Sequence, residues 1–230
     1  MAKLSVIFPA AGSGVRLGSS TPKPFIKIGD KTILEHTISK FTAVPGLIQV
    51  IVATSVDSIP IVEEIFKSFL SIPVQFLAVE GADERQFSIQ NALENIRDEA
   101  DLVAVHDAVR PFVNSLQIKT CCEAAGKYGG AVLGVPAKDT IKKVKADRLI
   151  ESTPDRSCLW QAQTPQIFKK ELLQKAYKAA MKTNFIGTDD AALVERIGGV
   201  IQMVEGEREN LKITYPIDLK VAELILGEDI

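Results

Sequence analysis

Three glycines and two cations follow directly on the first apolar run of the sequence. Gly12, Gly14 and Gly18 fall within a short polar stretch, Arg16 lies among them, and Lys23 comes shortly after. Because glycine has no Cβ, its backbone N–H groups can approach anionic oxygens closely, and the arginine and lysine supply positive charge. The pattern predicts a strand followed by a loop that binds a polyphosphate, which is typical of nucleotide-handling enzymes.

The spacing of these glycines excludes two common phosphate-binding motifs. Leu17 stands where the dinucleotide-binding pattern G-x-G-x-x-G needs its third glycine, and the next apolar strand ends in Thr54 and Ser55 instead of the acidic residue that binds an NAD ribose. The P-loop pattern G-x-x-x-x-G-K-[ST] does not occur. A glycine-rich stretch alone also suits a plain strand-to-helix connection, so the interpretation depends on further residues.

A carboxylate and an arginine follow the fourth apolar run. Asp107 suits a metal-bound phosphate or a ribose, because Mg²⁺ commonly takes only one or two protein carboxylates. Arg110 can orient Asp107 or bind a second anion, although a structural ion pair within the loop is the alternative. His106 next to Asp107 suggests a triad with Cys158 or Ser157, but no nucleophile motif accompanies it. The sequence therefore argues against covalent catalysis.

Apolar runs alternate with helical patterns along most of the chain. The predicted strands are residues 4–8, 48–54, 74–79, 102–106, 130–135 and 200–204, and the predicted helices are about 32–42, 59–70, 85–96, 115–126, 169–182, 189–196 and 217–226. This alternation predicts a Rossmann-like α/β fold with a mostly parallel sheet and helices on both faces. The loops at 9–18, 81–85 and 106–111 then share one crevice beyond the strand ends.

Residues 138–153 alternate charged and β-branched side chains around Ala146 and Asp147, which predicts a projecting hairpin. We interpret the chain as one domain of residues 1–230 with a β-arm at about 137–157. A two-stranded ribbon is only marginally stable in water, so docking against a second copy would explain its persistence, and a homodimer is expected. An ordinary solvated hairpin is the alternative.

Composition excludes several classes of partner. A net charge of -2 over 230 residues argues against nucleic acid and anionic membranes. The three cysteines contain no C-x-x-C pair, which favours reduced thiols. The chain enters a strand too early for a signal peptide and has no run of apolar residues long enough for a membrane span. We therefore expect a cytoplasmic protein.

Short motifs along the chain resemble, in order and spacing, those of the 2-C-methyl-D-erythritol 4-phosphate cytidylyltransferases. They are residues 9–16, 22–23, 83–85 with Ser88, 106–111, 139–140, 159–160 with 164–166, 188–189 and 210–214. Each motif is weak alone, but together they are specific, and the match runs from residue 4 to about residue 224. The resemblance implies transfer of a cytidylyl group from CTP to methylerythritol phosphate in isoprenoid precursor biosynthesis, with release of pyrophosphate, by a dimer that uses Mg²⁺ or another divalent cation.

The resemblance also implies roles for individual residues. Those implied to bind CTP are Ala10, Ala11, Gly12, Gly14, Arg16, Lys23, Gly81, Asp83, Ser88 and Asp107, of which Asp107 also faces the metal. Those implied to bind methylerythritol phosphate are Arg110, Thr140, Thr164, Thr188 and Lys212, with Arg156 supplied by the arm of the second subunit. The implied catalytic cations are Arg16, Lys23 and Lys212, which are expected to stabilise charge on the reacting phosphate.

Three positions depart from the family pattern: Pro24, Ala82 and Tyr215. Ala82 stands where a second glycine often precedes Asp83, so a methyl group must be accommodated next to the base. Ribitol-5-phosphate cytidylyltransferase is the nearest alternative, because it resembles this family in fold and in its CTP-binding half. A noncatalytic nucleotide-binding module is a more distant alternative, which the retention of every proposed cation opposes.

Overall fold

The computed structural model describes residues 2–12 and 21–228 of the chain. The strands are β1 (Leu4–Pro9), β2 (Lys27–Ile28), β3 (Lys31–Thr32), β4 (Leu47–Thr54), β5 (Gln75–Glu80), β6 (Leu102–Val105), β7 (Gly130–Pro136), β8 (Lys143–Val144), β9 (Ile150–Ser152), β10 (Trp160–Lys169) and β11 (Ile201–Glu205). The helices are α1 (Ile33–Thr42), α2 (Ile59–Phe66), α3 (Arg85–Leu93), α4 (Ser115–Tyr128), α5 (Lys170–Lys182), α6 (Asp190–Arg196) and α7 (Pro216–Glu228).

The central sheet has the strand order β11-β7-β10-β6-β1-β4-β5. Strand β1 pairs in parallel with both β4 and β6, β4 pairs in parallel with β5, and β7 pairs in parallel with β11. Strand β10 lies between β6 and β7 and runs antiparallel to both. The mostly parallel sheet predicted from the sequence is confirmed.

Strand β10 is the main element that the sequence pattern did not predict. Gln161, Gln163 and Thr164 make its first half partly polar, and Pro165 has no N–H to donate to a neighbouring strand. The sheet accommodates this proline at an irregularity, because the pairing of β10 with β7 shifts register between Ala162 and Gln166. The strand therefore forms through its position between two buried strands and not through local propensity.

Helices cover both faces of the sheet, as predicted. Side chains of α1, α2 and α4 form one buried cluster with residues such as Val50 and Val52, and those of α3, α5 and α6 form another with Ile51 and Ala53. Successive residues of β4 therefore point to opposite faces, and both faces are apolar, which explains the continuous hydrophobic run in the sequence.

The chain order creates a crevice at the carboxyl ends of β1 and β6. After β1 the chain continues to β4 and β5 on one side, then returns to β6 on the other side of β1. The loops that follow β1 and β6 therefore lead away from each other and leave a crevice between them. Parallel α/β sheets bind ligands in such a crevice. The residues after Pro9 and after Val105 lie at this point.

Strands β8 and β9 form a separate antiparallel ribbon. The N–H of Arg148 donates to the carbonyl of Lys145, so Ala146 and Asp147 occupy the centre of the turn. Every residue from 138 to 153 is exposed. Among the helices of residues 2–12 and 21–228, none combines the length and the apolarity that crossing a bilayer requires.

Candidate active site

A cavity of about 370 Å³ opens at the crevice between the ends of β1 and β6. Five separate segments of the chain contribute to its wall, and together they bring polar, cationic and small residues to one place. These lining residues are Pro9, Ala10, Ala11 and Gly12, then Lys23 and Pro24, then Ala82, Asp83, Arg85 and Ser88, and finally Asp107, Ala108, Val109 and Lys212.

Two lysines from opposite ends of the sequence line this one cavity. Lys23 belongs to a short 3₁₀ turn and is buried, and its ammonium donates a hydrogen bond to the carbonyl of Thr214 at 3.1 Å. Lys212 is about half exposed and lies on the same 210–215 segment. Residues 210–215 therefore carry Lys212 and contact Lys23, and both lysines line the same cavity.

Asp107 is the centre of a cluster of charges. Its Oδ2 lies 3.1 Å from Lys212 Nζ and 3.1 Å from Arg110 Nε, and its Oδ1 lies 3.6 Å from Arg85 Nε. Burial alone raises the pKa of this carboxyl, but the charges of Lys212, Arg85 and Arg110 outweigh burial and hold the pKa well below its ordinary value. Asp107 is therefore ionised at neutral pH, with cations on both of its oxygens.

His106 and Thr164 fix the backbone that carries Asp107. The hydroxyl oxygen of Thr164 accepts from the N–H of Asp107 at 3.0 Å and lies 3.1 Å from His106 Nδ1. His106 Nε2 lies 3.0 Å from the carbonyl of Arg110, which can only accept, so Nε2 carries the proton and Thr164 donates to Nδ1. Burial lowers the pKa of His106 to about 4, so the ring is neutral at pH 7.

An ion pair between the half-buried Arg85 and the buried Asp190 extends the cluster away from Asp107. Arg85 Nη2 contacts Asp190 Oδ2 at 2.9 Å, and the hydroxyl of Tyr177 donates to the other oxygen of the same carboxylate. Burial lowers the pKa of Arg85, but Asp190 and Asp107 outweigh burial and raise it above its ordinary value. The pKa of Tyr177 is also raised, by burial and by Asp190. Arg85 thus connects the carboxylate of the loop after β6 with the carboxylate at the start of α6.

The loop after β5 is held close to the loop after β1. A Cβ on Gly81 would lie 2.5 Å from the Ala11 Cβ and 3.1 Å from Ser88 Oγ, so this position requires glycine. The hydroxyl of Ser88 donates to the carbonyl of Ala82 and accepts from its N–H, at 3.0 and 2.9 Å. Ala82 is thereby accommodated, and Ser88 fixes the backbone next to Asp83.

The remaining predicted residues lie in other places. Thr188 lines a smaller cavity of about 150 Å³ that also includes Arg85 and Asp190. Thr140 and Arg156 are exposed residues of the hairpin region, where Arg156 Nη1 donates to the carbonyl of Lys138 at 2.6 Å. Gly14 and Arg16 lie outside the described residues.

Arg85 and Asp190 are the functional candidates to which sequence reasoning gave no role. Thr188, Asp189 and Asp190 indicate from the sequence a helix N-cap with acids in the first turn, and in the structure Asp189 is the cap of α6, accepting from the N–H of Ala192 at 2.9 Å. Asp190 is instead almost fully buried, at 1% exposure. Asp190 follows the capping Asp189 in a helix whose first turn packs inward. This position could have suggested that Asp190 is a buried partner for a distant arginine.

Comparison with known proteins gives a consistent result along the whole chain. A family model described as IspD, 2-C-methyl-D-erythritol 4-phosphate cytidylyltransferase, matches residues 4–228. A 2-C-methyl-D-erythritol 4-phosphate cytidylyltransferase from Caldanaerobacter subterraneus is 40% identical over 225 residues, which cover 97% of this chain and 98% of the relative. An enzyme of the same name from Syntrophotalea carbinolica is 42% identical over 223 residues, covering 96% and 95%.

Solved structures agree in fold. A 4-diphosphocytidyl-2C-methyl-D-erythritol synthase from Anaerococcus prevotii superposes with a TM-score of 0.87 at 28% identity, over 98% of this chain and 99% of that chain. A 2-C-methyl-D-erythritol 4-phosphate cytidylyltransferase from Thermus thermophilus superposes with a TM-score of 0.80 at 32% identity, over 98% and 99%. This chain belongs to the IspD family of 2-C-methyl-D-erythritol 4-phosphate cytidylyltransferases, which are nucleotidyltransferase enzymes.

Proposed function

We propose that this enzyme transfers a cytidylyl group from CTP to 2-C-methyl-D-erythritol 4-phosphate and releases pyrophosphate. The observation that carries the proposal is the shared cavity, to which Lys23 and Lys212 contribute from opposite ends of the chain next to the ionised Asp107. Membership of the IspD family supports the same reaction. The product is 4-diphosphocytidyl-2-C-methyl-D-erythritol.

The chemistry needs charge stabilisation more than proton transfer. A phosphate oxygen of the sugar phosphate attacks the α-phosphorus of CTP, the bond from that phosphorus to the bridging oxygen breaks, and its electron pair leaves with pyrophosphate. The attacking phosphate is already ionised near neutral pH, so it requires no general base. Lys23 and Lys212, with Arg16, stabilise the negative charge that grows on the phosphoryl oxygens.

The nucleotide side of the cavity is proposed to bind CTP through the backbone of the loop after β1. Ala10, Ala11 and Gly12 line the cavity, and Gly14 and Arg16 follow them in the sequence. Gly81, Asp83 and Ser88 are proposed to face the cytosine and ribose. Asp83 and Ser88 line the same cavity, and the close approach of Gly81 to Ala11 brings their loop next to the loop after β1.

Asp107 is the residue that would hold a divalent cation. Among residues 2–12 and 21–228, no group of three or more His, Cys, Asp or Glu side chains could bind a metal by itself. One carboxylate that lines the cavity is compatible with Mg²⁺, which completes its coordination with phosphate oxygens and water. Both oxygens of Asp107 contact cationic side chains, so the cation would share this carboxylate with them. The cation would neutralise charge on the triphosphate.

The acceptor side is proposed to bind methylerythritol phosphate through Arg110, Thr140, Thr164, Thr188 and Lys212. In this proposal Arg156 reaches the site from the hairpin of a second subunit. The hairpin region exposes Ile141, Val144, Leu149 and Ile150, an apolar surface that docking against another copy would cover. The enzyme is therefore proposed to work as a homodimer, and we place it in the cytoplasm.

Pyrophosphate release by the purified enzyme tests the proposed reaction. With Mg²⁺ present, CTP and methylerythritol phosphate should give pyrophosphate, whereas ATP, GTP or UTP in place of CTP should give little. Faster release with ribitol 5-phosphate would assign the alternative acceptor. Absence of release with CTP and either polyol phosphate would contradict the enzyme assignment and favour a nucleotide-binding module.

Substitution of Lys212 tests the proposed mechanism. Lys212→Ala should lower the single-turnover rate by about 100-fold or more, the scale of losing one preorganised charge contact. Lys178→Ala is the matched control, because Lys178 is an exposed lysine of α5. An unchanged rate in a folded Lys212→Ala enzyme would remove this lysine from the chemistry.

A further inference from the structure

Lys212 lies on a segment without regular secondary structure. Residues 206–215 connect β11 to α7 and belong to neither a helix nor a strand. A long, half-exposed lysine on such a segment has many rotamers, and its ammonium reaches Asp107 reproducibly only if the backbone beneath it is fixed. The contacts of the buried Asn210, two residues before Lys212, supply that fixation.

The side chain of Asn210 anchors the segment to β10. Asn210 is fully buried, and its Nδ2 donates to the carbonyl of Thr164 and to Gln163 Oε1, both at 3.0 Å. Both partners are oxygens, which sets the orientation of the amide, and Gln163 is itself oriented by donating to the carbonyl of Glu207 at 3.0 Å. Thr164 is the same residue whose hydroxyl accepts from the N–H of Asp107.

The backbone of the segment is tied to the loop that carries Asp107. The carbonyl of Asn210 accepts from Arg110 Nη1 at 2.7 Å, and the N–H of Ile213 donates to the carbonyl of Val109 at 3.0 Å. These two contacts join the backbone on either side of Lys212 to the loop that carries Asp107. The side chain of Asn210 holds the same segment against β10. The loop and the segment move together only as long as these contacts are made.

We propose that Asn210 is a positioning residue for the transfer reaction: it places Lys212, and through its carbonyl Arg110, against Asp107. This inference rests on the proposed function and assigns Asn210 no contact with substrate. Loss of the side chain should let Lys212 shift by a fraction of its present distance to Asp107, and misplacement by about 1 Å can lower a rate by about 100-fold.

A double-mutant cycle tests this proposal. Asn210→Ala should lower the single-turnover rate at saturating substrates by between about 10-fold and 100-fold and change the KM for CTP by only about twofold, because the loop after β1 and Lys23 still line the nucleotide side. In a Lys212→Ala background, Asn210→Ala should lower the single-turnover rate by only about twofold, because the ammonium group that Asn210 positions is absent. Equal losses in the two backgrounds would overturn the proposal.

A matched control separates positioning from general damage. Gln49 is another buried amide with several hydrogen bonds, but it lies near the start of β4, at the edge of the sheet opposite the cavity. Gln49→Ala should lower stability and keep the wild-type rate in folded enzyme. If Asn210→Ala does not fold, Gln163→Ala replaces it in the cycle, because it removes only the side chain next to Asn210.

The outcomes distinguish the inference from the function on which it rests. Wild-type enzyme that releases no pyrophosphate contradicts the proposed function. Active wild-type enzyme whose rate is unaffected by Asn210→Ala, or by the Gln163→Ala substitute, contradicts only the positioning role. The positioning role is supported if Asn210→Ala lowers the single-turnover rate in the wild-type background and has almost no effect in the Lys212→Ala background.

Discussion

The charge cluster around Asp107 and the hairpin of residues 137–157 contain ion pairs of the same length in opposite environments. Lys212 Nζ lies 3.1 Å from Asp107, and Lys143 Nζ lies 3.1 Å from Glu151. Asp107 exposes only 10% of its side chain and contacts three cations, whereas the side chains of Lys143 and Glu151 are 63% and 42% exposed. Distance alone therefore does not distinguish a functional charge from a solvated one.

The difference lies in what fixes each pair. In the cluster, His106 and Thr164 hold the backbone of Asp107, and Asn210 holds the segment of Lys212. In the hairpin, water screens the charges, and an exposed pair of this kind contributes about 0 to 1 kcal/mol. The side chains of the cluster are therefore fixed by hydrogen bonds from several elements, whereas those of the hairpin are exposed to solvent.

The largest effect on stability is expected when the buried part of the cluster loses its acid. Asp190→Asn leaves Arg85 and Tyr177 without a carboxylate, and because Arg85 remains partly exposed, we expect the free energy of unfolding to fall by about 2 kcal/mol. Glu151→Gln makes the same chemical change in the hairpin and should cost at most about 0.5 kcal/mol. Urea denaturation measures both changes in the free energy of unfolding. Equal losses of stability would contradict the distinction between the cluster and the hairpin.

A smaller effect is expected from the hairpin on substrate binding. If Arg156 reaches the site of a second subunit, Arg156→Ala should raise the KM for methylerythritol phosphate by about tenfold and leave the KM for CTP nearly unchanged. Steady-state kinetics with each substrate varied in turn measures the two constants. Equal changes in both would argue against a hairpin contribution to the acceptor site.

The smallest effect concerns the pH dependence of stability. His106 is neutral in the folded protein, where its pKa is about 4, and takes up a proton near pH 6.5 once unfolded. The unfolded chain therefore binds more protons between these values, so stability falls as pH decreases through this window, by about 1 kcal/mol from pH 6 to 5. The depressed pKa of Asp107 acts at lower pH, where protonation of the unfolded carboxyl begins.

Urea titrations at several pH values, with EDTA present to remove divalent cations, measure this dependence. His106→Gln should flatten the slope between pH 6 and 5. His36→Gln, which removes the other histidine of the chain, is the control. A slope that persists in His106→Gln would show that other groups cause the pH dependence.

Hydrophobic periodicity predicted most of the fold, because buried parallel strands and amphipathic helices leave a strong pattern in the sequence. It failed at β10, where Pro165 and several polar residues occupy a strand that forms only because β6 and β7 flank it. The paired residues β2 and β3 were also missed, since two-residue strands carry too little pattern to detect.

The candidate site was predictable to the extent that strand ends determine it. Residues that follow parallel strands converge at one edge of the sheet, so Gly12, Asp83 and Asp107 could be expected in one crevice. The pairing of Arg85 with Asp190 joins residues 105 positions apart, which are the first residues of α3 and α6. Such a contact leaves no local pattern, and neither does the burial of Asn210.

A crystal structure of the enzyme with CTP and a divalent cation tests the convergence of Lys23 and Lys212 most directly. We expect the ammonium groups of both lysines within about 3.2 Å of oxygens of the same triphosphate, with Asp107 on the cation side. A triphosphate bound elsewhere, or bound by only one of the two lysines, would contradict the account.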